Sequence, residues 1–341
     1  MRLLITGGAG FIGSNYIRYV MQAHPEYHII NFDKLSYAGN LESLKDIELS
    51  PHYTFIKGDI CDSRMLKDIE FDGIIHFAAE SHVDRSILDA QPFLETNVLG
   101  TYTLLEAARQ RDGMFLHVST DEVYGSTETG FFHEDSPLMP NSPYAASKAS
   151  SDLLVRSYIE THKLKAMITR CSNNYGPYQF PEKLIPLVLM NAIHRKHIPV
   201  YGDGMNVRDW IYVSDHCRAV DMVLHNGKVG EVYNVGSRNE CTNIDLINLL
   251  LKKLAVRLNV DKSELLGLIR YVEDRKGHDR RYAIDPSKIE KQTGWKSETG
   301  FEEGISKTID WYLSNKQWMQ RVLSGEYMHY YNQQYGERLN Q

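Results

Sequence analysis

Cysteine is scarce in this chain of 341 residues, which contains only Cys61, Cys171, Cys217 and Cys241. No two of them form a Cys-x-x-Cys pair. Zinc sites and disulfide frameworks depend on paired or regularly spaced cysteines, so neither is expected here. The sequence therefore predicts reduced thiols and no metal among its functional residues.

Long apolar runs and blocks of one charge are also absent. No apolar stretch approaches the roughly 20 residues that span a bilayer. The first residues run through Leu3-Leu4-Ile5-Thr6 into glycines, without the cleavage pattern of a signal peptide. The 38 basic and 44 acidic residues are mixed along the chain and give a net charge of −6. We therefore expect a cytoplasmic protein that binds no membrane and no nucleic acid.

The first half of the chain alternates short apolar runs with amphipathic segments. The predicted strands are Arg2–Thr6, His28–Asp33, Tyr53–Asp59, Gly73–Ala79, Met114–Thr120 and Ala166–Tyr175, and the predicted helices include Ile12–Ala23, Pro92–Gln110 and Tyr144–His162. Apolar strands joined by crossover helices are typical of parallel sheets that are buried on both faces. The predicted fold class is α/β, with a Rossmann-like doubly wound parallel sheet that binds ligands at the carboxyl ends of its strands.

The pattern changes after about Tyr175. Turns at Gly176-Pro177-Tyr178 and Tyr201-Gly202-Asp203-Gly204 punctuate a region with less regular strand spacing. This change predicts a smaller C-terminal α/β lobe. The segment from Trp318 to Tyr335 is rich in rings, including Tyr327, Tyr330 and Tyr331, and we expect it to pack on the body.

A glycine loop, Gly7-Gly8-Ala9-Gly10-Phe11-Ile12-Gly13, follows the first strand and opens the first helix. Such glycines let the backbone approach a pyrophosphate at a helix N-terminus. A tight turn would explain a lone glycine motif, but Asp33 closes the second strand where dinucleotide-binding folds carry an acid for the ribose. Because a carboxylate accepts the 2′-hydroxyl and repels a 2′-phosphate, the predicted cofactor is NAD rather than NADP.

Two further strand ends border this predicted cofactor site. Asp59, after the third strand, is a candidate for the adenine edge, although a strand-end cap explains it equally well. The segment Phe77–Ser86 ends the fourth strand, where its small residues would admit the cofactor and its polar residues would face the cleft.

Tyr144 and Lys148 are four residues apart at the start of a predicted helix, so they share one face. We expect the ammonium to lower the pKa of the phenol toward that of a useful base. With 21 tyrosines in the chain, such a pair also arises by chance. Its position after the fifth strand of a nucleotide-binding sheet favours catalysis.

Three polar residues, Thr120, Asp121 and Glu122, leave the carboxyl end of that fifth strand. Adjacent carboxylates on a solvated loop usually have no function. At an enclosed site, however, the two can be given different pKa values, so that one remains a protonated acid while the other acts as a base.

Together these residues resemble the extended short-chain dehydrogenase/reductase family, and within it the nucleotide-sugar 4,6-dehydratases. The resemblance runs nearly end to end. Its most specific motifs are Thr120-Asp121-Glu122 before Val123-Tyr124-Gly125, and the runs Arg170–Gln179, Arg208–Val213 and Asp274–Arg280. Sugar 4-epimerases of the same fold look similar through the glycine loop and the Tyr/Lys pair, but they typically lack the Asp-Glu pair.

The resemblance implies a reaction on a nucleoside diphosphate hexose, dTDP-glucose being the expected substrate. Tyr144 would take the proton of the sugar 4-hydroxyl while the C4 hydride passes to NAD. Glu122 would remove the C5 proton and Asp121 would protonate the C6 hydroxyl, so that water leaves before the hydride returns to C6. Thr120 would hold the 4-oxygen. The product would feed deoxysugars such as rhamnose.

The resemblance also implies two sets of binding residues. Those expected at NAD are Gly7, Gly10, Phe11, Ile12, Gly13, Asp33, Lys34, Leu35, Ser36, Asp59, Ile60, Ala78, Ala79, Glu80, Ser81, Thr96, Tyr144, Lys148 and Asn174. Those expected at the substrate are His82, Thr120, Asn173, Lys183, Leu184, Pro199, Val200, Tyr201, Arg208, Asn243, Asp274, Arg275 and His278. The two arginines would bind the pyrophosphate, for which their donor fork is suited, although a surface salt bridge would also explain each of them.

The domain boundaries and the homodimer follow from the same resemblance. The expected division is an NAD-binding domain of residues 1–175, to which 205–240 returns, and a nucleotide-sugar lobe of residues 176–204 and 241–341. Family members pair through helices that include the Tyr/Lys helix. Its segment Ser147–Ile159 offers Leu153, Leu154, Val155 and Tyr158 as an apolar face, a pattern that core packing explains equally well.

Two alternatives to this function stay open. One is another NAD-dependent nucleotide-sugar dehydratase or 4-epimerase of the same fold, since the sequence does not fix the nucleotide base. The other is a non-catalytic NAD-binding module, which would need the glycine loop but not the paired acid and base. A departure from the family is Lys276, where many relatives carry proline, and it would loosen the loop beside Arg275.

Overall fold

A seven-stranded parallel sheet forms the centre of the computed structural model, which describes residues 1–322 together with residues 331, 334 and 335. The strands are β1 (Arg2–Thr6), β2 (His28–Asp33), β3 (Tyr53–Lys57), β4 (Gly73–His76), β5 (Met114–Thr120), β6 (Ala166–Cys171), β7 (Asn173–Tyr175), β8 (Ile198–Tyr201), β9 (Val207–Tyr212), β10 (Val232–Val235), β11 (Glu240–Thr242) and β12 (Ile269–Val272).

Helices connect and cover these strands. They are α1 (Phe11–Ala23), α2 (Ser63–Leu66), α3 (Val83–Leu88), α4 (Gln91–Phe93), α5 (Thr101–Gln110), α6 (Pro143–His162), α7 (Leu184–Ile193), α8 (Val213–Asn226), α9 (Asn243–Leu258), α10 (Lys262–Leu266), α11 (Ser287–Thr293), α12 (Phe301–Ser314) and α13 (Lys316–Val322). Short 3₁₀ turns occupy Leu41–Leu44 and Asp121–Tyr124, and a π-helical stretch occupies Leu94–Gly100.

The strand order of the main sheet is β10-β6-β5-β4-β1-β2-β3. Its neighbours are parallel throughout. The order reverses between β1 and β4, so the crossover helices diverge there and leave a crevice at the carboxyl ends of the strands. The prediction of a Rossmann-like doubly wound sheet is confirmed.

Alternate residues of β1 bury themselves on opposite faces of the sheet, as the two-residue period of a strand requires. Leu3 and Ile5 join one core, to which α1 and α8 also contribute. Leu4 joins the core on the other face, which is covered by α5 and α6. All three side chains are fully buried, which explains why this strand reads as one continuous apolar run.

A second core lies in the C-terminal half of the chain. Helices α7, α9, α12 and α13 pack together through Leu189, Leu250, Ile309 and Met319. Two small sheets adjoin them: β11-β9-β7, and the parallel pair β12-β8. Of the predicted substrate residues, Val200 belongs to this second core and Leu184 packs against it.

Several predicted boundaries are wrong in instructive ways. The predicted strand Ala166–Tyr175 divides at Ser172, whose N–H makes the last bond of the ladder with β10, and after it β7 pairs with β9 outside the main sheet. The predicted strands ending at Asp59 and Ala79 stop at Lys57 and His76. The predicted helix Pro92–Gln110 contains the π-helical stretch.

The second half of the chain agrees with the predicted domain boundaries at one point and departs from them at another. Strand β10, within 205–240, pairs with β6 in the main sheet. Ile289 and Trp295 lie within the segment 241–341, yet both are buried in the core against α8. Trp295 Nε1 donates to the Asp215 carbonyl at 3.0 Å, which fixes this return.

The aromatic C-terminal segment is described in part. Trp318 is buried in the second core, and Tyr335 is buried with its ring 6.3 Å from that of Tyr201. Tyr327 and Tyr330 lie outside the described residues. Over the described part of the chain, no helix is both long and apolar enough to span a bilayer.

Candidate active site

A cavity of about 310 Å³ opens at the carboxyl ends of the strands around the β1–β4 crevice. It collects the predicted catalytic residues and nearly all of the predicted cofactor residues. Those that line it are Gly7, Gly10, Phe11, Ile12, Gly13, Asp33, Lys34, Ser36, Asp59, Ile60, Ala78, Ala79, Glu80, Ser81, Thr96, Thr120, Asp121, Glu122, Tyr144, Lys148, Asn173, Asn174 and Lys183. Leu35 does not line it, but its N–H donates to Asp33 Oδ1 at 2.8 Å.

The glycine loop leaves room that a side chain would fill. Gly7 has a φ of +71°, and a Cβ there would lie 2.6 Å from Ala78 Cα. A Cβ on Gly13 would collide with the Gly7 carbonyl oxygen. Helix α1 begins just after Gly10, which has no side chain to cap the first turn. This helix start, with its N–H groups beside the cavity, fits a diphosphate.

The two acids at the cofactor side are held differently. Asp33 Oδ2 accepts the Ala9 N–H at 2.9 Å, so its carboxylate is fixed between the glycine loop and the end of β2. Burial raises its pKa, although these backbone N–H groups oppose the rise. Asp59 accepts the Cys61 N–H at 2.9 Å and pairs with Lys34 at 2.7 Å, which is the strand-end cap that the sequence left as an alternative.

The acid pair Asp121 and Glu122 occupies a 3₁₀ turn that begins where β5 ends. Thr120 caps this turn, since its hydroxyl accepts the Glu122 N–H at 3.3 Å and donates to Asp121 Oδ1 at 3.3 Å. Asp121 is 2% exposed. Asp121 Oδ2 and Glu122 Oε2 are buried without a hydrogen-bond partner among the described residues. Unpartnered buried carboxylate oxygens are costly, which is typical of groups that wait for a ligand.

The two carboxyl groups differ in their electrostatic surroundings. Burial raises the pKa of Asp121 well above its ordinary value, and repulsion from Glu122 raises it further. Burial also raises the pKa of Glu122, but the charges of Arg275 and Lys183 oppose the rise. The pair is therefore biased toward a protonated Asp121 and a more readily ionised Glu122.

Tyr144 and Lys148 share one face of α6, as predicted, but the expected effect on the pKa is reversed. Burial raises the pKa of Tyr144 well above its ordinary value, and Glu122 raises it further. Lys148 Nζ donates to the Val118 carbonyl at 2.9 Å, and burial lowers its pKa to about 8. The ammonium is directed at the backbone of β5, so desolvation dominates the pKa of the phenol.

The two asparagines of β7 face different partners. Asn173 Oδ1 is buried without a hydrogen-bond partner in the described part of the protein and lines the cavity. Asn174 Nδ2 donates to the Ser172 carbonyl at 3.0 Å, and its Oδ1 lies 2.9 Å from His216 Nδ1. Asn173 is thus ready for a ligand, whereas the side chain of Asn174 is fixed by the protein.

Three cations among the residues predicted to bind the substrate oppose the rise in the pKa of Glu122. Lys183 Nζ donates to the Ser81 carbonyl at 2.6 Å. Arg208 is buried, donates to the Asp279 carbonyl at 2.8 Å, and lies 4.0 Å over the Tyr282 ring. Arg275 lies 3.8 Å from Asp84. Neither arginine forms an exposed salt bridge with any described residue, and both side chains are largely buried, so the surface interpretation of these residues is wrong.

The remaining predicted substrate residues do not line the cavity. They are His82, Leu184, Pro199, Val200, Tyr201, Arg208, Asn243, Asp274, Arg275 and His278. Val200 and Leu184 pack in or against the second core. The Tyr201 hydroxyl donates to Asp84 Oδ2 at 3.0 Å, and His278 Nδ1 lies 2.6 Å from Asp274 Oδ1. Asn243 Oδ1 is buried without a partner within the described ranges.

Sequence reasoning missed Glu182, which lines the cavity beside Lys183. The Tyr37 hydroxyl donates to its carboxylate at 3.0 Å, and Arg85 pairs with it at 3.2 Å. Burial raises the pKa of this carboxyl group. A lone Glu in the loop Phe180–Lys183 carries no periodic signal, so only the long-range contacts with Tyr37 and Arg85 reveal it.

Comparison with known proteins gives a consistent picture. The model of the family described as GDP-mannose 4,6 dehydratase matches residues 4–308. A probable dTDP-glucose 4,6-dehydratase from Sinorhizobium fredii is 51% identical over 96% of this chain and 98% of its own length. A dTDP-glucose 4,6-dehydratase from Escherichia coli is 50% identical over 99% of both chains.

Solved structures agree with the sequence relatives. A dTDP-glucose 4,6-dehydratase from Streptomyces venezuelae, solved with NAD bound, is 48% identical and superposes with a TM-score of 0.90 over 94% of this chain and all of that one. A UDP-glucose 4-epimerase from Thermotoga maritima is 27% identical, with a TM-score of 0.82 over 93% of this chain and all of its own. The chain therefore belongs to the nucleotide-sugar 4,6-dehydratases of the extended short-chain dehydrogenase/reductase family, alongside relatives that are dTDP-glucose 4,6-dehydratases.

Proposed function

We propose that this chain is an NAD-dependent hydro-lyase that converts dTDP-glucose to dTDP-4-keto-6-deoxyglucose and water. The observation that carries the proposal is the buried Asp121–Glu122 pair, which has unpartnered oxygens and borders the same cavity as Tyr144. A sugar 4-epimerase needs a base for the 4-hydroxyl but has no use for this acid pair. The names of the half-identical relatives support the same reaction.

The proposed cofactor is NAD, held by the glycine loop at its diphosphate and by Asp33 at a ribose hydroxyl. The carboxylate of Asp33 keeps acceptor sites beyond the two it uses for backbone N–H groups, since each carboxylate oxygen carries two lone pairs. Its negative charge would disfavour a 2′-phosphate. NAD, when bound, would accept a hydride from the sugar and later return it, so no external oxidant would be consumed.

Four side chains would move or hold protons at the sugar. Tyr144 Oη would take the proton of the 4-hydroxyl, with Thr120 Oγ1 binding the same oxygen. Because burial raises the pKa of Tyr144, this role would depend on the positive charges of Lys148 and of bound oxidised NAD lowering that pKa. Glu122 would remove the proton at C5, and Asp121 would donate a proton to the departing C6 hydroxyl. The raised pKa of Asp121 suits an acid that must be protonated near neutral pH, and burial of the pair limits access of bulk water.

The second core would supply the nucleotide-sugar lobe. We propose that residues 1–175 and 205–240 form the NAD-binding domain and that 176–204 and 241–341 form the nucleotide-sugar lobe, with two exceptions: the segment around Ile289 and Trp295 packs in the first core, and Arg208 of 205–240 would reach the nucleotide sugar. Arg208 and Arg275 would pair with its diphosphate, because both lie close enough to influence Glu122 and neither has a carboxylate at hydrogen-bond distance within the described chain.

Oligomer, location and pathway complete the proposal. We infer a homodimer formed through α5, α6 and the π-helical stretch, where Leu94, Leu99, Tyr102 and Leu153 are each about half exposed. Val155 and Tyr158 of the predicted apolar face are buried in the core instead, so the face is narrower than the sequence suggests. We also propose that the enzyme is cytoplasmic and that its product feeds the synthesis of deoxysugars such as rhamnose.

The test is to incubate the purified protein with dTDP-glucose and, separately, with UDP-glucose, without added cofactor, and to measure product mass. Loss of one water from the dTDP sugar alone is expected. If both sugars keep their mass even with NAD supplied, and no 4-epimer forms, the proposed dehydration is wrong.

A second candidate is the same dehydration acting on a different nucleotide sugar. The family whose model matches residues 4–308 is named after a GDP sugar, and no motif in the sequence identifies the nucleotide base that the chain binds. Water loss from GDP-mannose or UDP-glucose, with dTDP-glucose unchanged, would favour this candidate. A 4-epimerised product without mass change would instead assign the chain to the epimerases of the fold.

A further inference from the structure

A cluster of three side chains lies where the C-terminal ends of α1 and α8 meet. It consists of His24, Asp221 and His225, none of which lines the cavity described above. His24 Nε2 lies 3.0 Å from Asp221 Oδ1, and His225 Nδ1 lies 3.4 Å from the same oxygen. One donor atom from each of the three falls within 4.8 Å of the other two. We propose that this cluster binds a divalent transition-metal ion of the zinc class.

The spacing of the donor atoms fits a tetrahedral ion. With metal–ligand bonds of roughly 2.0–2.1 Å, the edges of a tetrahedron are about 3.3 Å long. The two separations from Asp221 Oδ1 bracket this length. The three donors are therefore close enough to surround one ion, with water in the fourth position, once His225 Nδ1 exchanges its 2.8 Å hydrogen bond to the Asp221 carbonyl for the ion.

The electrostatic surroundings favour a cation. His24 is the C-terminal cap of α1, and His225 lies in the last turn of α8, so two helix ends with partial negative charge converge here. Asp221 is buried and carries a carboxylate. The guanidinium of Arg218, one turn earlier on α8, pairs with Asp215 and Glu298 rather than with Asp221, whose other side-chain partner besides the histidines is the neutral Tyr19 hydroxyl.

Neighbouring groups would orient the two imidazoles. The Tyr27 hydroxyl lies 2.8 Å from His225 Nε2, and the Tyr27 ring stacks on His24 at 4.7 Å. A hydroxyl accepts a hydrogen bond as readily as it donates one. When His225 Nδ1 binds the ion, its proton would move to Nε2 and be donated to Tyr27, an arrangement common for metal-bound histidine.

The chemistry of the donors selects the class of ion. Two imidazoles and one carboxylate suit zinc and related divalent transition metals, whereas magnesium and calcium prefer oxygen ligands alone. The ion would fasten the end of α1, whose start carries the glycine loop, to α8. The two helices already pack through Val20 and Leu224, so its effect would be to stabilise that contact.

The test uses the full-length protein, with metal removed by chelation, titrated with Zn²⁺ by calorimetry and with Co²⁺ by visible absorption. One ion per chain is expected, with the intense visible bands of four-coordinate Co²⁺ and a higher Tm. The double variant His24→Gln/His225→Gln should weaken binding by more than roughly tenfold and abolish the Tm gain. Tyr27→Phe should weaken binding by up to about tenfold.

A matched control is His52→Gln, which removes an exposed imidazole outside the cluster and should leave binding unchanged. Circular dichroism and the metal-free Tm establish that each variant is folded, and dehydratase turnover should stay at the wild-type rate. Equal metal affinity in the double variant, or no metal-dependent Tm gain in the wild type, would overturn the site.

Discussion

Two buried clusters of titratable groups adjoin helix α6, and they shift the pKa of a carboxyl group in opposite directions. Asp152, on α6 about two turns after Tyr144, pairs with Arg170 at 2.8 Å and lies 3.4 Å from His117. Burial opposes its ionisation, but His117 and Arg170 outweigh burial and hold the pKa of Asp152 at about 2. Asp121, equally buried, forms no ion pair within the described residues, and burial, together with the charge of Glu122, raises its pKa well above the ordinary value.

The difference shows that charged partners, rather than burial alone, decide whether a buried acid is ionised. The Asp152 cluster continues through Arg170 to the Tyr124 hydroxyl at 2.8 Å and on to Asn234 at 2.7 Å, so it joins α6, β6 and β10. Such a paired network is structural. Asp152 Oδ1 also lacks a hydrogen bond within the described residues, but it lies 3.4 Å from His117 inside this charged network. The Asp121 cluster instead borders a cavity and forms no ion pair among the described residues, so its cost in stability is retained for chemistry.

The largest expected effect is on catalysis, from Tyr144→Phe. Loss of the hydroxyl removes the proposed base, so turnover should fall by about 10²–10⁴-fold. The fold should persist, because the ring still packs against Phe93. Product formation by mass spectrometry and Tm by circular dichroism check both parts, and undiminished C4 oxidation in a single turnover would contradict the role.

The next effect is on stability, from Asp152→Ala. Removing the carboxylate leaves Arg170 buried without its charge partner, which should cost about 3–5 kcal/mol of unfolding free energy. Glu70→Ala is the control, since it breaks the exposed Arg2–Glu70 pair of similar length, 2.7 Å, and should cost less than about 1 kcal/mol. Equal losses in denaturant unfolding would show that the Asp152 cluster is not structural.

The smallest effect, and the one that separates the two clusters by sign, is the pH dependence of stability. The pKa of Asp152 is lowered from 3.8 to about 2, so its contribution is complete above its unfolded pKa and is lost as the pH falls toward about 2. The pKa of Asp121 is raised, so its ionisation costs stability as the pH rises above 3.8.

Isosteric variants make this difference measurable. Asp152→Asn should be less stable than wild type at neutral pH, with the gap closing at acid pH. Asp121→Asn should be more stable than wild type at neutral pH, and that gain should shrink toward pH 4. Denaturant unfolding over a pH series checks both, and the same sign for the two variants would refute the comparison.

The sequence predicted what local patterns control. The strands Arg2–Thr6, His28–Asp33 and Met114–Thr120 have the predicted bounds, because continuous apolar runs mark strands buried on both faces. The glycine loop and Asp33 meet at one cavity, since the carboxyl ends of parallel strands share one edge of the sheet.

What the sequence could not predict depends on distant partners. The predicted strand divides at Ser172 because the residues after it pair with β9, which lies far along the chain, rather than with the main sheet. Trp295 joins the first core through a hydrogen bond to Asp215. The direction of the Tyr144 pKa was wrong for the same reason: spacing on α6 brings Lys148 near, but the burial and the Glu122 charge that dominate come from elsewhere in the fold.

The central claim is that Asp121 and Glu122 serve water elimination, and the most direct measurement is a single turnover of Asp121→Asn with dTDP-glucose. Reduced nicotinamide, followed by absorbance, reports C4 oxidation, and product mass reports loss of water. We expect oxidation to proceed near the wild-type rate while water loss slows by at least about 10²-fold. Water loss at the wild-type rate, or equal slowing of both steps, would contradict the assignment.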